Sequence, residues 1–328
     1  MVKKIKEKLY QLFILGLEGG ELKGNPNLIK ALNEGLGGVI FFTQNIETVS
    51  QFKNLIQDIK KEAIIEPFLS IDQEGGRVER TENIHNGKKY LSAKFSAEKG
   101  EQFLKEQTEQ IARELKDFGI NLNFAPCLDV NTNPNNPIIG ERAFSKDVDE
   151  VTKFGKIVVD TYLKNGIMPC TKHFPGHGDA SVDSHVALPS MNLTIEEIEK
   201  YHVTPFKEVD SPMVMVAHLH VPAFDEAELP SSLSENIVKK YLIEKLDYKG
   251  LIITDDMVMG GVTKIGATQA CEKAIKAGVN ILLYRNSFDE TIAIIENLAK
   301  LAENDDILRE NIEISYDKII KSKQCFIS

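Results

Sequence analysis

The feature that most constrains this chain is a short apolar run that recurs along its length. Each run is followed by a polar or glycine-containing loop and then by a helical pattern. Near-continuous apolar strands alternating with helices indicate a parallel sheet covered on both faces. Seven such runs are present: Gly38–Phe42, Phe68–Asp72, Leu122–Pro126, Met168–Thr171, Val214–His218, Leu251–Asp255 and Asn280–Tyr284. An eighth strand is expected between Leu12 and Leu17.

Seven or eight parallel strands favour a single closed (β/α)8 barrel of the TIM type, with its active site at the carboxyl ends of the strands. An open doubly wound sheet is the weaker alternative, because no GxGxxG or Walker-type loop follows any of the strands. The 328 residues contain no Pro/Ser-rich linker and no shift in composition, so we expect one domain over residues 1–328.

Two helices of this pattern carry clear end signals. Thr194 and Glu197 have the spacing of a capping box, which predicts a helix from Ile195 to about Val209. Gly278 follows an Ala/Lys/Glu-rich helix that begins near Ala267, and it is suited to a left-handed C-terminal cap. The N-terminal segment is basic and partly apolar, but charged residues interrupt its apolar stretch. We therefore expect an amphipathic helix there rather than a signal peptide.

Charge and cysteine usage restrict the partners and the compartment. The formal net charge of -10 disfavours binding to nucleic acid, because the protein's field would repel phosphates. No run approaches the roughly 20 apolar residues of a membrane span. The cysteines are far apart without CxxC spacing, which predicts reduced thiols and a cytoplasmic protein. Nothing in the sequence indicates the oligomeric state. The four cysteines are Cys127, Cys170, Cys271 and Cys325.

The densest group of titratable side chains lies in residues 172–185, which read KHFPGHGDASVDSH. This stretch contains three of the seven histidines of the chain and two aspartates. Its glycines and proline exclude a regular helix, so we expect a surface loop. A loop so rich in His and Asp is suited to proton transfer or to metal binding.

Polar side chains also stand at the ends of several apolar strands. Asp72, His173, the pair His218 and His220, and the pair Asp255 and Asp256 all occupy such positions. Because the carboxyl ends of parallel barrel strands meet at one rim, these residues predict a single site lined by carboxylates and imidazoles. Adjacent strand residues point to opposite faces, so at most one of Asp255 and Asp256 is expected to face that site.

Residue chemistry alone leaves two kinds of site open. The His218-x-His220 pair resembles those of metal sites, although no HExxH or similarly tight ligand spacing is present. Asp72 precedes a Gly75-Gly76 turn, where a carboxylate can bind sugar hydroxyls. Arg142 follows an Asn/Pro-rich loop and is either a surface charge or an anchor for an oxygen-rich substrate.

The order of these motifs closely resembles that of bacterial family 3 glycoside hydrolases, over nearly the whole chain. The signature is Lys172–Gly178, followed by Asp183-Ser184-His185 and Leu188-Pro189. The Asp-x-His in the long loop is similar to the β-N-acetylglucosaminidase branch of the family. Five further matching segments follow the same order: Gly37–Phe42, Ile71–Val78, Asn123–Pro126, Gly140–Ser145 and Thr254–Met257.

The resemblance implies a role for each matching residue. Asp255 would be the nucleophile, His185 the general acid/base and Asp183 the partner of His185. The sugar would be bound by Asp72, Arg142, Lys172 and His173. An imidazole fits the acid/base role because its unperturbed pKa, near 6.5, already lies close to the working pH. No metal and no organic cofactor are implied, and the expected partner is a small carbohydrate.

The expected function is a retaining exo-β-N-acetylglucosaminidase that removes terminal β-linked GlcNAc from peptidoglycan fragments in cell-wall recycling. It would act through a covalent glycosyl-enzyme intermediate. The alternatives are a β-N-acetylglucosaminide phosphorylase, in which phosphate replaces water on that intermediate, and a metal-dependent barrel hydrolase. Phosphate dependence would distinguish the first alternative, and sensitivity to chelators the second.

Overall fold

The computed structural model describes residues 2–180 and 188–327. Its centre is a closed barrel of eight parallel strands in sequence order, in which the first strand pairs with the last. The (β/α)8 prediction is therefore confirmed, including the eighth strand near Leu12. The strands are β1 Phe13–Gly16, β2 Gly38–Phe41, β3 Phe68–Ile71, β4 Leu122–Asn123, β5 Met168–Phe174, β6 Met213–Val216, β7 Leu251–Asp256 and β8 Ile281–Tyr284.

Helices surround the barrel and cover the outer face of the sheet. They are α1 Val2–Gln11, α2 Pro26–Asn33, α3 Val49–Glu62, α4 Ala93–Glu98, α5 Glu101–Phe118, α6 Val148–Lys164, α7 Ile195–Ile198, α8 Thr204–Glu208, α9 Gly260–Thr263, α10 Ala267–Ala277, α11 Asp289–Leu301 and α12 Asp306–Phe326. A π-helical segment, Asn236–Lys245, connects β6 to β7. In the parts of the chain that the structure describes, no helix is both long and apolar enough to cross a bilayer.

Both predicted helix ends are confirmed. The Thr194 hydroxyl accepts from the Glu197 amide at 3.2 Å, and the Glu197 carboxylate accepts from the Thr194 amide at 2.9 Å. This capping box opens α7, which continues through a π-helical turn at Glu199–Val203 into α8. Gly278 ends α10 with φ of +104°. The amphipathic N-terminal helix is present as α1.

One strand boundary differs from the prediction in a way that bears on the site. β5 extends to Phe174, so Lys172 and His173 lie within the strand and are buried rather than exposed in a surface loop. His177, beyond the strand, is also buried. The surface-loop prediction is thus wrong for the start of residues 172–185. Burial of Lys172 and His173 is possible because carboxylates from the loops after β3 and β4 pair with them.

Candidate active site

A cavity of about 390 Å³ opens at the carboxyl ends of the strands. Five of the predicted site residues line it together: Asp72, Arg142, Lys172, His173 and Asp255. His185 and Asp183, the predicted acid/base and its partner, lie outside the described residues. Five further ionisable residues line the same cavity, and the family resemblance implied no role for any of them. These are Glu74, Arg80, His177, Asp256 and Arg285.

Irregularities in two strands explain why consecutive polar residues reach one cavity. Between Thr171 and Phe174, β5 has one residue more than the facing stretch of β6, and β7 has one more than β8 between Ile253 and Asp256. An inserted residue breaks the alternation of side chains between the two faces of a sheet. The expectation that only one of Asp255 and Asp256 faces the site is therefore wrong, since both line the cavity.

A buried ion cluster forms one side of the cavity. The Lys172 ammonium contacts Asp72 Oδ1 at 2.7 Å and Glu74 Oε1 at 2.6 Å, and its side chain is only 2% exposed. Arg142 donates to both oxygens of Glu74, at 2.9 and 2.8 Å, in a bidentate pair. Burial opposes the charge on Glu74, but Arg142 and Lys172 hold the pKa of this carboxyl well below its usual range. Glu74 therefore anchors two predicted sugar-binding cations.

A second buried carboxylate, Asp129, lies behind the cavity and holds His173 in place. It accepts from His173 Nδ1 at 2.7 Å and from the backbone amide of His177 at 2.6 Å. Burial opposes its ionisation, but the His173 imidazole and the His177 amide keep the pKa of Asp129 well below its ordinary value. The chain beyond His177 approaches closely, since a Cβ on Gly178 would lie 1.7 Å from the Val130 carbonyl oxygen. Only glycine fits at this position.

The two adjacent aspartates of β7 have opposite electrostatic environments. Burial would raise the pKa of Asp255, but the imidazoles of His173 and His218 and the amide of Asp256 hold it below its ordinary value. Burial raises the pKa of Asp256, and Arg285 opposes that rise only in part. Active sites in which two neighbouring carboxyl groups have different catalytic roles commonly give the two groups different pKa values. Asp255 is therefore the more readily ionised of the two.

The predicted metal pair does not form. The buried His218 contacts Ser232 Oγ through Nδ1 at 2.7 Å and the Asp256 carbonyl through Nε2 at 3.2 Å. His220 instead contacts the Asp225 carbonyl, and neither histidine lines the cavity. Both residues lie beyond the end of β6 at Val216, so the alternation that places residues two apart on one face of a strand does not apply to them.

Among the described residues, one group of donors meets the geometry of a metal site: Cys127, Asp129 and His173, whose ligand atoms lie within 4.8 Å of one another. Hydrogen bonds already join them, since Cys127 Sγ donates to Asp129 Oδ2 at 3.1 Å. Burial raises the pKa of the Cys127 thiol, which disfavours the thiolate that a metal would need. The guanidinium of Arg142, 3.3 Å from His173 Nε2, adds a repulsive charge.

Some of the unassigned residues carried a sequence signal. Glu74 stands two residues after Asp72 and Arg80 eight residues after it, in one loop that folds back over the site. Arg80 lies 3.8 Å from Asp72 Oδ2, and its guanidinium is 5.4 Å from the centre of the Phe42 ring. Asp129 carried no such signal, because it stands between Leu128 and Val130 in a run that reads as apolar core.

Comparisons with known proteins agree with this architecture. Residues 4–322 match the family described as "Glycosyl hydrolase family 3 N terminal domain". A β-hexosaminidase of Haemophilus influenzae (strain Rd) is 33% identical over 300 residues, which are 89% of this chain and 84% of that protein. Beta-hexosaminidase A of Pseudoalteromonas piscicida is also 33% identical, over 88% of this chain, which spans only 53% of that longer relative.

A solved structure extends the match to three dimensions. The family 3 β-N-acetylglucosaminidase of Paenibacillus sp. FPU-7 superposes with a TM-score of 0.91 at 31% identity. That superposition covers 97% of this chain and 62% of the Paenibacillus chain. The barrel, the order of the motifs and the family match over most of the chain all agree. The chain therefore belongs to glycoside hydrolase family 3, among enzymes named β-hexosaminidase.

Proposed function

We propose that this protein is a retaining exo-β-N-acetylglucosaminidase and that Asp255 is its nucleophile. The observation that carries the proposal is a half-buried carboxylate, its pKa held below the ordinary value, that faces a cavity lined with hydrogen-bonding groups. A nucleophile must be deprotonated to attack an anomeric carbon, and a site largely withdrawn from water strengthens its interaction with the positive charge that develops there.

The reaction would follow the two steps of a retaining glycosidase. Asp255 attacks the anomeric carbon while His185 protonates the departing oxygen, which leaves a covalent glycosyl-enzyme. His185 then removes a proton from water, and the hydroxyl oxygen displaces Asp255 with net retention of configuration. Asp183 would orient and polarise His185. The assignments of His185 and Asp183 rest on the sequence resemblance, since both residues lie outside the described parts of the chain.

The rest of the cavity supports sugar binding. Asp72, Lys172, Arg142 and His173 present charged or hydrogen-bonding groups within one space of about 390 Å³. Hydrogen bonds to charged groups are the stronger ones, and a set fixed by ion pairs reduces the entropy lost on binding. The names of the relatives support N-acetylhexosamine as the sugar that occupies this space.

We further propose terminal β-linked GlcNAc on peptidoglycan fragments as the natural substrate, in the cytoplasm. All four cysteines are free, and three of them are buried, as expected of a protein in a reducing compartment. Fractionation of cells followed by immunodetection tests the compartment. Release of GlcNAc from purified disaccharide–peptide fragments of peptidoglycan, followed by mass spectrometry, tests the substrate.

The first experiment is chromophore release from an aryl β-N-acetylglucosaminide beside the matching β-glucoside. Each reaction is run with and without chelator and with and without phosphate. The proposal expects hydrolysis of the GlcNAc substrate alone, indifference to chelator, and near-complete loss in Asp255→Ala. A glucoside preference, chelator sensitivity or an unaffected Asp255→Ala variant would contradict it. Formation of a sugar phosphate would indicate the phosphorylase instead.

A second experiment addresses the acid/base pair. Asp183→Ala should slow substrates with poor leaving groups much more than substrates with activated ones, because only the former need a proton donor. Substrate binding should change little. Equal rates for wild type and variant on a poor leaving group would show that Asp183 has no such role.

A further inference from the structure

Asp129 is fully buried beside the cavity, yet it does not line it. Its Oδ2 accepts from His173 Nδ1 at 2.7 Å and from Cys127 Sγ at 3.1 Å. Its Oδ1 accepts from the His177 amide at 2.6 Å and from the His173 amide at 3.4 Å. A buried carboxylate with four donors is held rigidly, because any displacement would leave several polar groups unpaired.

These contacts determine which nitrogen of His173 carries a proton. Ionised Asp129 can only accept, so the Nδ1 that faces it must donate. On the other side of the ring, Nε2 lies 3.3 Å from an Arg142 nitrogen, and a guanidinium can only donate. Nε2 must therefore carry a lone pair. The contacts of the ring are satisfied together only by the neutral tautomer with hydrogen on Nδ1.

The same carboxylate fixes the chain that leaves β5. Its bond to the His177 amide is matched by the side chain of Asn136, which donates to the His177 carbonyl at 2.8 Å. Both ends of this peptide segment are thus tied to the loop after β4. Asp129, in that loop, therefore orients both the His173 ring and the backbone that follows it.

We propose that Asp129 is a positioning residue, which acts through His173: it keeps the proton on Nδ1, so that Nε2 accepts from Arg142 and holds that guanidinium beside the sugar site. The proposal deepens the proposed function and rests on it, because it takes Arg142 as a sugar contact. Nε2 has a single lone pair and can accept from the Arg142 guanidinium only while the proton stays on Nδ1. In the other tautomer, Nε2–H would face the Arg142 donor, and the contact between the two side chains would be lost.

The tautomer can be measured in the unmodified enzyme. Long-range ¹H–¹⁵N NMR at neutral pH distinguishes the two neutral forms and the imidazolium by their nitrogen shifts, and the His173→Gln variant identifies the signal. We expect an Nδ1–H ring with an unprotonated Nε2. An Nε2–H ring, or protonation of both nitrogens, would overturn the proposal whether or not the enzyme hydrolyses GlcNAc substrates.

A double-mutant cycle tests whether Asp129 acts through His173. In Asp129→Asn, the introduced amide can still accept from the His177 N–H, while its NH₂ group faces Nδ1 and forces the proton to Nε2. We expect kcat/KM on the aryl GlcNAc substrate to fall roughly 10- to 100-fold, the range for a buried hydrogen bond left unpaired. The ¹⁵N pattern of His173 should invert.

In a His173→Gln background, Asp129→Asn should have little further effect on kcat/KM, since coupled residues are not additive. Cys127→Ala is the matched control, because it removes one donor from the same carboxylate oxygen and leaves the imidazole contact. It should retain kcat/KM within about threefold and keep the Nδ1–H tautomer. Additive losses in the cycle, or an unchanged tautomer in a folded Asp129→Asn variant, would contradict the proposal.

Discussion

A lysine is buried at each end of the barrel, and the pKa of one is raised while the pKa of the other is lowered. At the carboxyl end, Lys172 lies between Asp72 and Glu74, with its nitrogen 2.7 and 2.6 Å from their oxygens. At the amino end, Lys323 of α12 donates to the amide oxygen of Gln11 at 2.9 Å and lies 5.2 Å from the centre of the Phe68 ring. Both side chains are almost inaccessible to solvent.

Burial lowers the pKa of both amines, and only the partners differ. Around Lys172 the carboxylates more than offset burial, so its pKa is raised. Around Lys323 the amide oxygen and the aromatic ring do not offset burial, and its pKa falls to about 7. The comparison teaches that a charge is retained inside this barrel only where a carboxylate contacts it. At the carboxyl end of the barrel the carboxylates keep cations charged beside the cavity, where they can bind a substrate. At the amino end, the described part of the chain places no carboxylate in contact with the buried lysine.

The largest expected effect comes from removing the paired lysine. Lys172→Met should leave Asp72 without its buried cation, and we expect a loss of about 3–5 kcal/mol in the free energy of unfolding. The value of kcat/KM on the aryl GlcNAc substrate should fall about 100-fold or more, through loss of a charged sugar contact. Urea unfolding followed by circular dichroism suits a chain without tryptophan.

The control for this substitution is an exposed pair with similar geometry. Lys53 contacts Asp117 at 2.7 Å, but the Asp117 side chain is 70% exposed. Lys53→Met should change the free energy of unfolding by less than about 1 kcal/mol. Equal destabilisation by Lys172→Met and Lys53→Met would show that burial does not distinguish the two ion pairs.

Removing the anchoring carboxylate should have the next largest effect. Glu74→Gln keeps the size of the side chain but leaves Arg142 without its bidentate partner and Lys172 with Asp72 alone. We expect a loss of about 3 kcal/mol in stability, near the low end for breaking a buried pair, because Asp72 remains. Thermal and urea unfolding measure it. Glu228→Gln, at an exposed position, is the control and should be close to neutral, and a Glu74→Gln variant as stable as this control would refute the anchoring role.

Replacement of the buried lysine at the base of the barrel by methionine should instead raise the free energy of unfolding. The ordinary pKa of lysine is 10.5 and that of Lys323 is about 7, and each unit corresponds to about 1.4 kcal/mol. Loss of the bond to Gln11 offsets about 1 kcal/mol of the gain. We therefore expect Lys323→Met to stabilise the fold by roughly 2–4 kcal/mol at pH 7.

The pH dependence of this gain follows from the direction of the shift. Between pH 7 and 10.5 the unfolded chain binds a proton at Lys323 that the folded chain does not, so wild-type stability rises with pH in that window. The advantage of Lys323→Met should therefore shrink from pH 7 to pH 9. Lys321→Met, exposed on the same helix, should show no such trend. A pH-independent gain, or a destabilised Lys323→Met variant, would mean that the amine is not neutralised by burial.

Sequence reasoning recovered the barrel because its signals are local. Apolar runs at regular intervals, the Thr194–Glu197 capping box and the Gly278 cap are each readable within a few residues. It also placed four of the cavity residues, Asp72, His173, Asp255 and Asp256, at strand ends, where parallel strands bring them to one rim. The resemblance to family 3 glycoside hydrolases gave all of them except Asp256 a role that spacing alone left open.

The sequence did not reveal the residues that hold the site together. Glu74 and Asp129 contact cations and imidazoles about 70 and 45 positions away (Arg142 and His173), and such partners are visible only after folding. The inserted residues in β5 and β7 were also unpredictable, because a single extra residue in one strand shows only against its neighbour. That irregularity is why the alternation rule failed for Asp255 and Asp256.

The smallest expected effect is at the rim, between the two extremes of burial. Arg285 contacts Asp256 at 2.5 Å, with side chains 47% and 14% exposed. Because solvent screens this pair, we expect Arg285→Gln to lower the free energy of unfolding by less than about 1 kcal/mol at pH 7. Arg113→Gln, which breaks an exposed pair with Glu109 within α5, is the control and should change it by about 0.5 kcal/mol or less.

The pH dependence separates this pair from a screened surface contact. Burial already raises the pKa of Asp256, and without Arg285 the ionised carboxylate would be still less favourable. The destabilisation should therefore be present at pH 7 and should shrink as the pH falls and Asp256 gains a proton, whereas that of Arg113→Gln is no more than about 0.5 kcal/mol at pH 7 and has little to lose. If Arg285→Gln instead destabilised the fold as much as Glu74→Gln, partial exposure would not weaken an ion pair at this rim. The contrast between Lys172 and Lys323 would then reflect the presence of a carboxylate alone, independent of how deeply the pair is buried.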